Sequence, residues 1–400
     1  MSVFKGLKVL DVASFIAGPA AATLLADFGA DVVKVEVPEG DGFRKTMLNP
    51  NLAYSPHNYL WMQGARSRRA IALDLKKPEA QAVLHRLVRG ADVLITNYPL
   101  PVRERLGLSW ARLRELNPRL VYASLTGYGE TGPEAAKPGF DATTYWARSG
   151  LADLTRPDAD GPPANPANGL GDQPTAVTLF AAIATALYRR ERTGEGGMVS
   201  TSLLANGAWA NAMAIQGALV GGRIVYRQPR TTPRNALTNF YRCGDGRWFI
   251  LSLVTEERDW TAFLRAIERP ALAQDPRFAE VAERRRHAVA LRELLDEVFA
   301  GRESAEWSER FAAEGLTVGV VARSEDAVDD RQMRACGALV PGEGIPGTGL
   351  TVSAPFLVEG AQKSHPTHAP AIGEHTDAVL REAGFGEDEI AALRAAQAVR

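Results

Sequence analysis

The chain has 400 residues, of which 46% are hydrophobic and 23% are charged, and its formal net charge is −1 at pH 7. These values are ordinary for a globular protein, and the balanced charge gives no reason to expect a nucleic acid or a membrane surface as partner. A chain of this length exceeds a single compact core, so we expect two domains.

The sequence contains little that would hold a metal or a disulfide. Cys243 and Cys336 lie far apart in the chain, and the histidine pair of "HPTH" is separated by Pro366 in a predicted loop. We therefore expect no metal site. Charges interrupt the apolar runs of the first forty residues, and no uncharged run approaches the length of a membrane span. We expect a cytoplasmic protein without a signal peptide.

The first 130 residues predict alternating strands and helices. "LKVLDVA" is typical of a buried strand, "GPAAATLLADFGA" of a helix, and "DVVKVEV" of the next strand. Further strands are predicted at 70–75, 92–98 and 120–129, with helices at 78–89 and 109–116. Because such units pair in parallel with right-handed crossovers, the pattern predicts an α/β fold with an open, doubly wound, Rossmann-like sheet. No GxGxxG follows the first strand, so a nicotinamide dinucleotide is not implied.

The second half of the chain differs from the first in composition and in its predicted elements. Residues 129–168 are rich in Gly, Pro and Ala and predict long loops, and helices are predicted at 174–190 and 202–219. A hairpin with "GDG" at its turn, three helices and the strand "LTVGVVA" then predict a smaller α/β domain at about 225–325.

One carboxylate lies between glycines and a helix start. In "NGLGDQPTAVTLF", Asp172 follows Gly171 and precedes Pro174, which suits the first helical position because its missing N–H would have no partner there. Asp172 is thus predicted just outside the helix, where an acid is commonly a cap for free amides. The same place suits a nucleophile, since glycines permit close approach, the amides can hold an oxyanion, and a carboxylate attacks activated acyl groups.

A second acid, Asp141 in "KPGFDATTYW", precedes another predicted helix and is likewise either a cap or a functional group. No GxSxG elbow is present, which disfavours an α/β-hydrolase triad. Both acids follow the sheet-forming half of the chain, and an open α/β sheet binds ligands where its strands end.

Around these residues the chain resembles the family III CoA-transferases, which include formyl-CoA, carnitine and aryl-lactate CoA-transferases and share a superfamily with α-methylacyl-CoA racemase. The resemblance spans nearly the whole chain. It implies a large Rossmann-like domain from residues 1–220 and 330–400, the small domain at 225–325, and a homodimer of two interlocked chains. The matching blocks include "LKVLDVASFIAGPAAATLLADFGADVVKVEVPEGDGFR", "RRAIALDLKKPEAQAVLHRLVRGADVLITNYPLPVRERLGLSW" and "GLGDQPTAVTLFAAIATALYRRERTGEGGMVSTSL".

The resemblance also implies the chemistry. CoA moves from an acyl-CoA donor to a small carboxylic acid, with no permanently bound cofactor, and the catalytic acid corresponds to Asp172, which carries an aspartyl-CoA thioester. Asp141 and Phe140 occupy secondary positions of the site. Ten residues correspond to positions that contact CoA: Ser14, Phe15, Ile16, Ala17, Leu73, Lys76, Asn97, Tyr98, Arg105 and Leu106.

Two alternatives remain: a 2-methylacyl-CoA racemase or epimerase, and an acyl-CoA-binding protein without catalysis. Racemases of the family carry a histidine before the acid that matches Asp141, and this chain has Phe140, which moves no proton. That substitution favours a transferase. The glycine-rich flap of the formyl-CoA transferases has no counterpart near residue 230, which argues against oxalate and formate. "GYGETGPEAAKPGFDATTYWARSGL" resembles the branch acting on aryl-lactates and other 2-hydroxy acids, a branch that also holds dicarboxylate enzymes.

Overall fold

The computed structural model describes residues 2–50 and 52–400. Six strands form one sheet in the order β3-β2-β1-β4-β5-β6, and every neighbouring pair is parallel. This confirms the predicted α/β fold with a parallel sheet. The strands are β1 (Lys8–Asp11), β2 (Asp31–Glu36), β3 (Arg69–Ala72), β4 (Val93–Thr96), β5 (Val121–Thr126) and β6 (Gly197–Ser202).

Helices connect these strands and cover both faces of the sheet. The helices up to β6 are α1 (Ala17–Asp27), α2 (Tyr59–Ala65), α3 (Pro78–Arg89), α4 (Leu100–Arg105), α5 (Trp110–Leu116), α6 (Leu151–Leu154) and α7 (Asp172–Thr193), with a π-helix at Asp141–Arg148. After β6 come α8 (Leu203–Ala210) and α9 (Ala212–Leu219), and near the C-terminus α14 (Arg331–Ala335), α15 (Thr376–Glu382) and α16 (Glu387–Ala395). A short hairpin, β10 (Leu339–Pro341) with β11 (Leu350–Val352), lies between α14 and α15.

Alternation along β4 shows why the strands are continuous apolar runs. Leu94 packs in a core cluster on one face of the sheet, whereas Val93 and Ile95 pack in the cluster on the other face. A parallel sheet that is covered on both faces has no side facing solvent. The side chain at every position along its central strands must therefore be suited to burial in a core. The C-terminal helices α15 and α16 add Leu380 and Ile390 to the first of these clusters.

The chain divides into two compact units. The first contains residues up to Leu154, Asn165–Arg223 and Arg331–Arg400, and the second contains Thr155–Ala164 and Ile224–Asp330. In the second unit an antiparallel sheet, formed by β7 (Thr238–Arg242), β8 (Trp248–Ser252) and β9 (Val318–Val320), packs on an aromatic core. Its helices are α10 (Glu256–Ala266), α11 (Val281–Arg286), α12 (Ala288–Ala300) and α13 (Ser304–Ala313).

The helix predicted at 202–219 is in fact two helices. Asn211 ends α8 and begins α9, and its buried side-chain amide donates a 3.0 Å hydrogen bond to the carbonyl of Ser149. The backbone of Asn211 keeps helical hydrogen bonds to Gly207 and Ile215, and its side chain anchors the junction of the two helices to the segment that contains Ser149. Within residues 2–50 and 52–400, no helix combines the length and apolar character needed to cross a bilayer.

The long helix α7 depends on its buried stripe, so Ile183→Ala should destabilise the protein. Ile183 is fully buried in the second core cluster, and truncating such a side chain costs about 2–5 kcal/mol of unfolding free energy. Thr185→Ala, at an exposed position of the same helix, should change it by less than about 0.5 kcal/mol. Urea titration of both variants measures the difference, and equal effects would contradict the assignment of the buried face.

Candidate active site

The candidate site lies at the carboxyl edge of the parallel sheet. The chain runs from β1 to β2 and β3 on one side and then returns to β4 on the other, so the strand order reverses between β1 and β4. Ligands of open α/β sheets bind in the crevice at such a reversal. The loop after β1 carries Ser14 and Phe15, and the loop after β4 carries Asn97. Because α7 leads into the parallel strand β6, the start of α7 also lies at this edge.

Asp172 is the first residue of α7, one position inside the helix rather than just outside it as the sequence predicted. Gly171 precedes the helix, and Pro174 is the third helical residue instead of the first. The Asp172 carboxylate caps no amide of the helix start and forms no hydrogen bond or ion pair with any residue in 2–50 or 52–400. Its interpretation as a capping acid is therefore wrong.

The capping carboxylate is Asp141. Both of its oxygens accept the backbone N–H of Gly171 at 3.1 Å, and the backbone amides of Gly169 and Asp172 also bond to it. Asp141, which is 30 residues away from Gly171 in the chain, thus receives the amides ahead of α7, whereas the N–H groups of Gln173 and Thr175 bond to backbone carbonyls. Asp141 opens the π-helix, a rare element that often marks functional segments.

The two acids differ in their surroundings. Partial burial raises the pKa of Asp172 to about 7, and the nearby negative charge of Asp141 adds to the effect. Burial also raises the pKa of Asp141, but the three backbone amides oppose that shift. A carboxylate that has no hydrogen-bond donor and lies near a second carboxylate has a pKa close to neutral pH. Such a raised pKa is typical of functional acids.

Glycines around Asp172 bring it close to neighbouring side chains. Gly171 packs so tightly on the Tyr145 ring and on Asp141 that a Cβ atom there would collide with both. Gly169 has φ +76°, a conformation that favours glycine, and a Cβ there would lie 3.4 Å from Cδ1 of Ile16. The segment that carries Asp172 therefore touches the loop after β1, where the resemblance puts CoA contacts.

The ten positions assigned to CoA differ in what they offer a ligand. Ser14, Phe15 and Ile16 form the loop after β1, and the Phe15 side chain is half exposed. The amide of Asn97 binds the backbone of Ser14 twice: Oδ1 accepts the N–H of Ser14 at 2.8 Å and Nδ2 donates to the Ser14 carbonyl at 2.7 Å. Asn97 thus joins the two loops across the crevice.

The remaining positions divide into exposed cations and buried side chains. Lys76 and Arg105 are exposed and form no ion pair with any described residue, so their charges are available to phosphate groups. Tyr98 and Leu106 are half-buried and pack against the first core cluster. Ala17 and Leu73 are buried, which leaves only their backbone groups to reach a ligand.

The sequence did not single out Arg103, which organises the same edge. Its buried guanidinium binds both carboxylate oxygens of Glu130 at 2.9 Å, donates to Ser124 Oγ at 2.6 Å, and bonds through Nε to the Tyr98 carbonyl. It thereby joins α4, the end of β4 and the loop after β5. Nothing in "VRERLG" distinguishes Arg103 from the exposed Arg105, because only the packing of α4 decides which one is buried.

No three His, Cys, Asp or Glu side chains of the described residues are grouped to hold a metal ion. The candidate site is formed by Asp172, the Asp141 carboxylate and the loop after β1. A match to the sequence profile described as "CoA-transferase family III" covers residues 4–376. The chain belongs to CoA-transferase family III. The predicted family and enzyme class are confirmed: the protein is a family III CoA-transferase.

Relatives of this CoA-transferase extend over its whole length. (R)-2-hydroxy-4-methylpentanoate CoA-transferase of Clostridioides difficile is 30% identical, and the match covers 100% of both chains. Cinnamoyl-CoA:phenyllactate CoA-transferase of Clostridium sporogenes is 30% identical over 98% of this chain and 96% of its own. The crystal structure of a CaiB/BaiF family protein from Brucella suis superposes with a TM-score of 0.85 at 29% identity, covering 96% of this chain and 99% of that chain.

The raised pKa of Asp172 predicts how stability depends on pH. The folded protein holds the Asp172 proton up to a pKa of about 7, whereas the unfolded chain releases it near the ordinary aspartate pKa of 3.8. Stability contributed by this group therefore falls as pH rises from about 4 to 7. Because Asp172→Asn carries no such proton, its thermal midpoint should rise above that of the wild type progressively from pH 5 to pH 8.

Calorimetric unfolding at several pH values measures this difference. Asp388→Asn, at an exposed position of α16, is the control and should shift the midpoint less at pH 8. A constant offset between Asp172→Asn and the wild type across the pH range would contradict the raised pKa.

Proposed function

We propose that this protein transfers CoA from an acyl-CoA donor to a carboxylic acid acceptor through an aspartyl-CoA thioester on Asp172. The observation that carries the proposal is a half-buried carboxylate without a hydrogen-bond donor, at the carboxyl edge of the sheet and beside the loop after β1. Such a carboxylate is a stronger nucleophile than one held by amides, because no donor stabilises its charge.

The first half of the reaction charges the enzyme. An oxygen of ionised Asp172 attacks the thioester carbonyl carbon of the donor, the C–S bond breaks, and CoA thiolate leaves behind a mixed anhydride. The thiolate then attacks the carbonyl carbon of Asp172, and the donor acid departs as a carboxylate. The result is an aspartyl-CoA thioester that keeps the energy of the donor thioester.

The second half reverses these steps with the acceptor. The acceptor carboxylate attacks the Asp172 thioester carbonyl, which releases thiolate and forms a second anhydride. The thiolate attacks the acceptor acyl carbon, the bond to Asp172 breaks, and acceptor acyl-CoA leaves with Asp172 ionised again. No step needs a proton transfer, so the protein must only position the groups and keep water away from the anhydride.

Asp141 has a different part in this scheme. Its bonds to the amides of Gly169, Gly171 and Asp172 fix the segment that presents the nucleophile, and its charge raises the pKa of Asp172. A higher pKa makes the ionised acid more reactive but reduces its ionised fraction below pH 7. We expect acyl capture to increase with pH through about 7, the pKa of Asp172.

For the acceptor we propose a 2-hydroxy acid or an aryl-substituted acid. Two full-length relatives are named for a 2-hydroxy acid and for phenyllactate. Tyr145 packs against Gly171, next to the proposed nucleophile, but it is buried in the second core cluster, so the support for this acceptor class comes from the relatives. A dicarboxylate is the alternative, and an exchange screen with both acid classes distinguishes them.

Racemisation is disfavoured at the position that would need its second base. Phe140 is 66% exposed and directly precedes Asp141, and an aromatic hydrocarbon ring neither accepts nor donates a proton. Absence of deuterium at Cα of branched acyl-CoAs in heavy water would agree with a transferase.

We also propose that the protein works as an interlocked homodimer, as the family resemblance implies. Support comes from α8 and α9, where apolar side chains project into solvent: Trp209 is 82% exposed, Met213 92% and Leu219 75%. No residue of α9 is buried although the helix is mostly apolar. An apolar surface of this kind marks a protein interface.

The covalent proposal predicts that Asp172→Ala loses CoA exchange by roughly 1000-fold or more, because it removes the nucleophile. The wild type, incubated with succinyl-CoA or acetyl-CoA and then treated with hydroxylamine or borohydride, should carry a modification at Asp172 by mass spectrometry. Asp388→Asn, at an exposed position of α16, is the control: it keeps Asp172 and its surroundings, so it should still be modified at Asp172. An Asp172→Ala protein that keeps the full CoA exchange activity of the wild type would contradict the proposal.

The dimer proposal predicts that Met213→Lys combined with Leu219→Lys lowers the mass of the protein in solution from two chains to one. A charge at each position would have to be desolvated in an apolar interface. Light scattering after size exclusion measures the mass, and Val254→Lys, an exposed apolar position of the second unit, should leave it unchanged. A monomeric wild type would refute the proposal.

A further inference from the structure

The backbone of the loop after β1 is held by the side chains of Asp11, Lys34, Asp41 and Asn97. The carbonyl of Ala13 accepts a hydrogen bond from Nζ of Lys34, and the N–H of Ala13 bonds to Asp11 at 3.2 Å. The N–H and carbonyl of Ser14 both bond to Asn97. The N–H of Phe15 donates to Asp41 Oδ1 at 3.2 Å. The loop therefore has little freedom of its own.

Three of these side chains belong to a buried cluster of charges. Lys34 Nζ lies 2.9 Å from Asp41 and 3.8 Å from Asp11, and the side chains of all three are at most 1% exposed. Arg68, also buried, pairs with Asp11. Burial by itself would lower the pKa of Lys34, but Asp11 and Asp41 outweigh it and raise that pKa. The cluster thus balances two positive against two negative charges.

The cluster holds Phe15 in an unfavourable conformation. Its φ is +61°, which few residues other than glycine adopt, and its ring is half exposed while resting on Gly42. Asp41 binds the N–H of Phe15 and also the N–H of Phe43, so it joins the loop after β1 to the segment that contains Gly42. Strain of this kind persists only where the surroundings enforce it, and it is often found where ligands bind.

We propose that Lys34 and Asp41 are positioning residues for CoA: they keep the loop after β1 in the single conformation that binds the coenzyme. The proposal rests on the CoA-transferase function given above, since it assigns a role to a loop of that site. Buried ions are costly to retain, and a loop fixed by backbone hydrogen bonds binds without the ordering that a mobile loop would require. Neither Lys34 nor Asp41 needs to touch the ligand.

The chain offers a matched control within the same unit. Arg66 and Asp27 form a second buried ion pair at 2.7 Å, with both side chains 2% exposed. Asp27 is the last residue of α1, at the opposite end from the loop, and its other hydrogen bond is to the N–H of Ala354. Asp27→Asn therefore breaks a comparable pair without removing any bond to residues 13–15.

The test compares Asp41→Asn with Asp27→Asn and the wild type in the full-length protein. If Asp41→Asn reduces the population of the competent loop to about a tenth, the dissociation constant of coenzyme A, measured by calorimetry, rises about tenfold. Amide hydrogen exchange of the peptide spanning 12–17 should accelerate, and kcat at saturating acyl-CoA should stay within about threefold while KM rises. Asp27→Asn should match the wild type in affinity and in exchange of that peptide.

A second variant decides the question if Asp41→Asn fails to fold. Lys34→Met removes the bond to the Ala13 carbonyl and the ion pair with Asp41, and it should also weaken coenzyme A binding and speed exchange of the loop. Unchanged affinity and exchange in the folded Asp41→Asn protein, or equal losses in Asp27→Asn, would overturn the proposal. Failure to trap Asp172 in the wild type would instead refute the covalent function, because calorimetry and hydrogen exchange do not depend on catalysis.

Discussion

The site depends on one interaction between segments distant in sequence, the carboxylate of Asp141 against the amides ahead of α7. That contact fixes the turn of the glycine-rich segment, and it occupies the donors that would otherwise stabilise Asp172. Asp172 is therefore left as a carboxylate with a negative neighbour and no hydrogen-bond donor, and its pKa is raised to about 7. Two acids with opposite surroundings can then serve two purposes, one as structural anion and one as nucleophile.

A second constraint is the reversal of strand order between β1 and β4. It leaves the loops after these strands facing each other across a crevice, and the Asn97 amide joins them. Strand ends supply Asp11, Lys34 and Asn97, all of which hold the loop that contains Phe15. The buried charges and the parallel sheet thus support the same surface, because Asp11 of β1, Lys34 of β2 and Asn97 after β4 all bind the backbone of the loop after β1.

The sequence indicated most of the architecture correctly. Apolar runs and turn residues predicted the parallel strands, the helix at 78–89 and the later hairpin. These patterns reflect local requirements for burial and chain reversal. The sequence did not predict the break between α8 and α9 at Asn211, because the side chain of Asn211 bonds to Ser149, which is remote in the chain. The helix start at Asp172 differed for a similar reason: the cap came from Asp141 and not from a neighbour of Pro174.

The amino-acid sequence by itself determined the fold class and the family, because these follow from local periodicity and from motifs in a fixed order, whereas the acyl-carrying role of Asp172 stays a prediction. The sequence did not separate Arg103 from Arg105, nor show that Lys34 and Asp41 hold the loop after β1. Only the tertiary structure decided these points and the raised pKa of Asp172. Burial, and the distance between charges on different segments, exist only when the chain is folded.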